Sequence, residues 1–201
     1  MGLEKLVEVA ENTKIEKNNF KDIKPQAGMT LEKAKDFVKT FFEDMKSLGE
    51  SGEFKELLKE LKEEYIEDLK SFSEFAQTLP EKFFDIEDLK KVSPEENRKL
   101  REEFSDKEFK NDLKKQWEEI HGIPWPKYDK DVYITNKNGE MVCIRKAGMD
   151  YDAHHIQPLG LGGKNEVSNI TPMHADVHFD SRGIHKLGSA YDKIDKLLGG
   201  E

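Results

Sequence analysis

The sequence has little cysteine, no long apolar run and no excess of positive charge, and each absence excludes a class of protein. One cysteine among 201 residues, Cys143, cannot form an intrachain disulfide, so the fold does not depend on bridges. No apolar run approaches the roughly 20 residues of a membrane helix, and Met1–Phe20 lacks the apolar core of a secretory signal peptide. These features predict a soluble chain with no membrane span and no signal peptide.

The acidic charge lies mainly in the first part of the chain. Residues 1–120 carry 23 Lys and Arg against 31 Asp and Glu, whereas residues 121–201 carry 10 against 11. Basic side chains supply most of the non-specific affinity for nucleic-acid phosphates, so this balance argues against a histone-like or sliding DNA binder. It leaves local phosphate chemistry at a metal ion open.

The first 122 residues carry mostly helical patterns. Residues 1–28 have no hydrophobic period and are interpreted as a flexible tail or linker, and residues 29–122 as an acidic α-helical region. We interpret its apolar stripes as the core face of a small bundle, the alternative being a docking or delivery segment. The predicted helices run from Thr30 to Gly49, over the stripe Phe54–Phe75, from Ser93-Pro94, and from the capping box Ser105–Glu108 to Gly122.

The pattern changes at Pro124, where a small mixed domain over residues 123–201 is predicted. Two strand-like runs flank Asn138-Gly139, a favourable hairpin turn. The segment Ala153–Gln157 is strand-like, and Thr171-Pro172 is expected to open a short helix. The whole chain is therefore predicted to be an α+β protein.

Histidine is concentrated in the second part. Five of the six histidines lie within the 32 residues from His154 to His185. On the helix expected after Thr171-Pro172, His174 and His178 have i, i+4 spacing, so both imidazoles would lie on one face and share a metal ion. The pair His154-His155 would supply a third ligand and a titratable base, provided that the strand ends or bulges there.

The donor types predict a catalytic kind of metal site. Three imidazoles with an open position are typical of catalytic sites, whereas structural zinc sites fill four positions, often with cysteine. Cys143 is the only cysteine in the chain. A closed structural zinc site is therefore disfavoured.

In their order along the chain, these residues resemble the HNH (His-Me finger) nuclease superfamily. The motif is Asp152-Ala-His-His-Ile-Gln-Pro158, followed by Gly162-Gly163, Asn169 and His174-x-x-x-His178. The likeness is greatest to the nuclease domains of bacterial toxins, including the colicin-type DNases and the AHH class of polymorphic toxins. It covers about residues 145–190 and implies a small ββα-metal fold.

The resemblance implies a role for each motif residue. His154, His174 and His178 would bind the metal ion, and His155 would be the general base that takes a proton from water. Asn169 falls at the central asparagine that fixes the catalytic loop, with Asn165 as a possible substitute. The short spacing from Asn169 to His174 implies an abbreviated strand between them.

Neighbouring charged residues are candidates for supporting roles. Asp152, two positions before His154, would orient a histidine, or else is an ordinary surface carboxylate. Phosphate contacts are expected from among Arg182, Arg145, Lys164 and His185. Each of these four has the simpler interpretation of a solvated side chain.

The resemblance implies a metal-dependent endonuclease that acts as a bacterial toxin. It would use one divalent ion (Zn²⁺, Mg²⁺, Mn²⁺ or Ni²⁺), with DNA favoured over RNA as substrate and a cognate immunity protein as partner. It would be secreted, or delivered to a target bacterial cytoplasm as part of a larger toxin system. Two alternatives stay open: an HNH endonuclease of phage or restriction type, and a non-catalytic, metal-stabilised binding module for nucleic acid or protein.

Overall fold

The computed structural model describes residues 52–135, 138–178 and 183–199. The predicted tail 1–28, the predicted helix from Thr30 to Gly49, and Arg182 lie outside these ranges. Within them the predicted α+β class is confirmed. The elements are α1 (Gly52–Phe72), α2 (Pro94–Ser105), α3 (Lys107–His121), β1 (Val132–Thr135), β2 (Met141–Arg145), β3 (Asp152–His155), β4 (Ile170–Met173), α4 (Ala175–His178) and α5 (Ala190–Leu197).

Helix α1 places its apolar stripe in the largest hydrophobic cluster of the described residues. The stripe repeats every four residues, so its side chains share one face of the helix. The same cluster contains buried residues of α5 and of the segments that flank β3 and β4. Its buried members are Leu57, Leu58, Leu61, Tyr65, Leu69, Leu89, Ile156, Leu161, Met173, Ile184, Ala190, Ile194 and Leu197.

This cluster joins the two regions that the sequence predicts as separate domains. Leu61 and Leu69 come from the region before residue 122, and Met173 and Ile194 come from the region after it. The division at residue 122 stays a prediction about folding units. In the described structure, residues from both sides of it pack into one core.

The helix ends agree with the sequence at some positions and differ at others, since α1 ends at Phe72, three residues before the end of its predicted stripe at Phe75. The Ser93 hydroxyl accepts a hydrogen bond from the Glu96 amide and begins α2, as predicted. Gly122 ends α3 with a left-handed φ of 67°, also as predicted. The prediction that Ser105 caps α3 is wrong, because the Asp106 carboxylate accepts from the Phe109 amide and Ser105 closes α2.

The strands form two antiparallel pairs. Strands β1 and β2 flank the predicted Asn138-Gly139 turn. Strand β3 pairs with β4, and α4 follows β4 directly, which gives a strand–strand–helix unit. With four residues, β4 has the abbreviated length expected from the sequence.

The prediction that Thr171-Pro172 opens a helix is wrong. Thr171 pairs with His154 and Pro172 with Ala153 in the β3–β4 ladder. Proline is tolerated there because a two-stranded sheet leaves one side of each strand without a partner strand. Helix α4 begins only at Ala175, so His174 precedes its first turn.

None of the helices in the described ranges is long and apolar enough to cross a membrane.

Candidate metal centre

The end of β3 brings two adjacent histidines to one cavity. His155 is the last residue of the strand, so the alternation of side chains between faces stops there. The side chains of His154 and His155, together with those of His178 and His185, line a cavity of about 240 Å³. The condition that the sequence analysis set for using both residues at one site is therefore met.

Three imidazoles converge in this cavity. The ring centroids of His154 and His178 are 5.2 Å apart, those of His154 and His185 are 5.2 Å apart, and those of His178 and His185 are 5.5 Å apart. One ring nitrogen from each lies within 4.8 Å of the other two. A tetrahedral ion at about 2.1 Å from each nitrogen sets them about 3.4 Å apart, so small side-chain rotations would let all three bind one ion.

His185 reaches the cluster because the backbone before it is packed against α4. The Ile184 amide donates to the Val177 carbonyl at 2.9 Å, and the Ile184 side chain is fully buried. A Cβ atom on Gly183 would lie 1.7 Å from the same carbonyl, so only glycine permits this approach. The sequence predicts that His185 is a phosphate contact or an exposed residue, whereas the structure places it among the three imidazoles.

The structure does not bring His174 into the cluster. Its ring packs edge-on against Tyr128 and Tyr151, at centroid distances of 5.0 and 5.2 Å. Its Nδ1 atom accepts a hydrogen bond from the Asp176 amide at 3.2 Å. His174 and His178 would share one helix face only if both residues were helical, and His174 lies before α4.

Two of the clustered histidines have hydrogen-bond partners that fix their rings. The Asp152 carboxylate lies 2.9 Å from His178 Nδ1, and its other oxygen accepts from Arg145 at 2.7 Å. Although burial alone would raise the pKa of Asp152, hydrogen bonds from His178 and Arg145 lower it, so the group stays ionised. The Tyr65 hydroxyl lies 3.2 Å from Nε2 of the buried His154. These contacts orient the two rings at the cavity, as the partners of metal-binding histidines do.

His155 is held by a different set of partners. Its Nε2 atom lies 2.9 Å from the Asn165 amide oxygen, and the Asn165 amide nitrogen donates to the Leu100 carbonyl and the Glu103 carboxylate. Because these acceptors orient the amide, His155 donates from Nε2 and keeps the Nδ1 lone pair. Its ring packs on that of Phe104, with the two ring centroids 4.2 Å apart. Burial lowers the pKa of His155 to about 4, so the ring is neutral near pH 7.

Asn169 fixes the loop between β3 and β4. Its amide oxygen accepts from the Gln157 amide at 2.7 Å, and its amide nitrogen donates to the Gln157 and Lys164 carbonyls. The Asn169 carbonyl also accepts from the Ile156 amide. These are the contacts that the expected loop-fixing role requires, whereas the contact to His155 comes from Asn165.

The two described cations that were expected to bind phosphate, Arg145 and Lys164, do not line the histidine cavity. Arg145 lines the adjoining cleft but hydrogen-bonds to Asp152. Lys164 lines a separate groove beside Gln157 and Asn169.

Sequence reasoning missed the residues that the helices contribute to the site. Tyr65, Arg101, Phe104 and Lys110 contact a histidine or line its cavity, although no chemistry was expected from the helical region. One indication was available in the sequence: Lys107, Lys110 and Lys114 have i, i+3, i+7 spacing and share one face of a helix. Tyr65 had none, because it fits an ordinary apolar stripe.

The fold and the site together define an α+β protein with a candidate three-histidine metal centre on a strand–strand–helix unit. Over 107 residues the chain is 39% identical to a protein of Bacillus subtilis (strain 168) named Toxin YxiD. The matched region is 53% of this chain and 18% of that protein, so the chain spans less than a fifth of its relative's length. No known family profile matches the chain, and no solved structure matches it significantly.

Proposed function

We propose that this chain is a metal-dependent endonuclease that hydrolyses phosphodiester bonds, with DNA favoured over RNA, and acts as a bacterial toxin. The observation that carries the proposal is the convergence of His154, His178 and His185 beside His155 in one cavity. The sequence motif from Asp152 to His178 resembles the HNH superfamily, and the similarity to a protein named as a toxin supports the biological role.

The donor set fits a divalent ion. Three imidazoles suit zinc or nickel better than magnesium, which prefers oxygen ligands. We assign the ligands as His154, His178 and His185, with Asp152 and Tyr65 orienting two of them. The chemistry that a divalent ion supplies in such a site is neutralisation of the charge that develops on the phosphate and on the leaving oxygen.

The chain's own residues supply the proton acceptor. His155 is neutral near pH 7 and presents its Nδ1 lone pair, because Asn165 occupies Nε2. Nδ1 would accept a proton from the attacking water as the water oxygen bonds to phosphorus and the bond from phosphorus to the leaving oxygen breaks, and the resulting imidazolium would be stabilised by the Asn165 amide oxygen. Asn169 holds the loop that carries Asn165, so we assign it a positioning role.

The biological setting follows the same proposal. A toxin nuclease must reach nucleic acid in another cell, so we propose secretion or delivery to a target bacterial cytoplasm as part of a larger toxin system. A producing cell would need a cognate immunity protein to block the site. We also propose that residues 123–201 form the nuclease unit and that residues 29–122 form an acidic helical region, of which the described part from residue 52 packs on that unit.

Plasmid cleavage tests the enzyme assignment. The purified chain would be incubated with plasmid DNA, and in parallel with RNA, in the presence of Zn²⁺, Ni²⁺, Mn²⁺, Mg²⁺ or EDTA, next to the His155→Ala variant. We expect metal-dependent nicking by the wild type, and in the variant normal metal content with cleavage reduced at least about 100-fold. Absence of cleavage by folded, metal-loaded wild type would favour a binding module, and full activity in His155→Ala would remove the base assignment.

A further inference from the structure

A cleft of about 1070 Å³ extends the histidine cavity along helices α2 and α3. It is lined by His178, His185 and Asp152 and by residues of the two helices. Arg101, Phe104 and Lys110 line both the cleft and the histidine cavity, so the two spaces are continuous.

The charge of this cleft is opposite to that of the whole chain. The chain has a formal net charge of −9. The cleft is lined by five cations, Arg101, Lys107, Lys110, Lys114 and Arg145, against two carboxylates, Asp150 and Asp152. Both carboxylates already form ion pairs with cations of the structure. The cleft is therefore a local basic surface on an acidic protein.

Four of these cations come from the helices and form what we call the basic face: Arg101, Lys107, Lys110 and Lys114. Arg101 and Lys107 are exposed, Lys110 lies over the Phe104 ring at 4.9 Å, and Lys114 pairs with Asp150. The three lysines span about 10 Å along α3 at about 1.5 Å per residue. One strand of a duplex carries a charge every 3.4 Å or so, so this length faces about three phosphates.

We infer that the basic face binds the phosphate backbone of the nucleic-acid substrate and directs the strand toward the three histidines. This inference rests on the proposed function and adds that the substrate is held by the helical region. Phosphate contacts position a nucleic acid without reading its sequence, so the basic face gives affinity and register but no base specificity.

Binding of a short fluorescein-labelled DNA duplex, followed by fluorescence anisotropy, tests the inference. The full chain would carry His155→Ala to prevent cleavage, alone or combined with Arg101→Gln, Lys107→Gln and Lys110→Gln. The matched control combines Arg98→Gln, Lys99→Gln and Lys115→Gln, which removes the same charge from the same two helices outside the cleft. Thermal unfolding would verify that each variant is folded.

The combination of Arg101→Gln, Lys107→Gln and Lys110→Gln is the basic-face variant. We expect it to bind the duplex at least about tenfold more weakly than the chain with His155→Ala alone at about 50 mM salt, and the control variant to bind less than twofold more weakly. Since each lost phosphate contact lowers the slope of log affinity against log salt by about 0.9, that slope should fall by about two to three in the basic-face variant only. Equal weakening in both variants, or in neither, would overturn the inference.

Cleavage by chains that retain His155 separates this inference from the proposed function. If wild type cleaves DNA and the basic-face variant binds and cleaves normally, only the inference fails. If folded, metal-loaded wild type neither binds nor cleaves DNA or RNA, the nuclease assignment fails and the inference fails with it.

Discussion

The strand–helix region from β3 to His185 and the helical region from α1 to α3 contribute to the site in different ways. The first supplies His154, His155, His178 and His185, the groups that can bind an ion or accept a proton. The second supplies none of these, yet its Tyr65 hydroxyl contacts a clustered histidine. Reactive groups are thus close together in the sequence, and they are oriented both by neighbours such as Asp152 and Asn165 and by distant residues such as Tyr65.

The largest effect we predict separates two assignments of the third metal ligand. His185→Ala should lower zinc affinity more than about 100-fold, because it removes one of three converging imidazoles. His174→Ala should leave zinc affinity within about twofold, because that ring packs on Tyr128 and Tyr151 instead. Isothermal titration calorimetry with zinc measures both, and circular dichroism verifies the fold.

The reverse result would restore the ligand set expected from the sequence. Loss of zinc binding in His174→Ala with retention in His185→Ala would mean that a different arrangement of α4 binds the ion. Loss in both variants would indicate that the two histidines depend on each other, and the division between ligand and packing residue would fail.

The sequence predicted the local features well because each depends on neighbouring residues. The Ser93 cap, the Gly122 helix end and the turn at Asn138-Gly139 are all set by interactions within a few positions. The candidate site was located for the same reason, since its histidines are concentrated in one short window.

The remaining features depend on contacts between distant segments. Thr171-Pro172 has a helix-start pattern, but pairing with β3 outweighs it. His185 enters the cluster through the backbone contact of Gly183 and Ile184 with Val177, which no periodicity indicates. The amide of Asn165 is oriented by acceptors more than 60 residues earlier in the chain.

The shared core predicts that damage to the helical region destabilises the strand–helix region. Leu69 in α1 is fully buried in the cluster that contains Met173, Ile184 and Ile194. Leu69→Ala should lower the free energy of unfolding by about 2–5 kcal/mol. Urea unfolding monitored by far-ultraviolet circular dichroism and by tryptophan fluorescence should show both midpoints shifting together.

The control for this substitution is Leu187→Ala, because Leu187 is 80% exposed and truncating it removes little buried surface. It should change the unfolding free energy by less than about 0.5 kcal/mol. If only one of the two spectroscopic midpoints shifts in Leu69→Ala, the two regions unfold independently. The helical region and the strand–helix region would then be two separate domains.

A smaller effect on cleavage is expected from Asn165, through which helix α2 orients the proposed base His155. Asn165→Ala removes the acceptor of His155 Nε2 and the contacts to Leu100 and Glu103. Plasmid cleavage should slow by about 30-fold, because a misplaced reacting group costs rate, while zinc affinity stays normal. Asn165→Asp, which keeps an acceptor oxygen, should recover part of the rate. Equal rates in wild type and Asn165→Ala would remove the positioning role.

The smallest effect we predict tests whether the helical region also tunes the metal centre. Tyr65→Phe deletes only the hydroxyl that lies 3.2 Å from His154 Nε2 and leaves the packing of a buried ring in place. Without that partner the His154 tautomer is no longer fixed, so zinc affinity should fall about tenfold with little change in stability.

Tyr133→Phe is the matched control, since Tyr133 lies on the hairpin and is 46% exposed. Its zinc affinity should equal that of wild type in the same calorimetric titration. If Tyr65→Phe also binds zinc normally, α1 contributes only packing to the site, and the orienting role of the helical region is limited to α2. If it binds more weakly, α1 and α2 both orient the histidines, although neither helix carries a ligand.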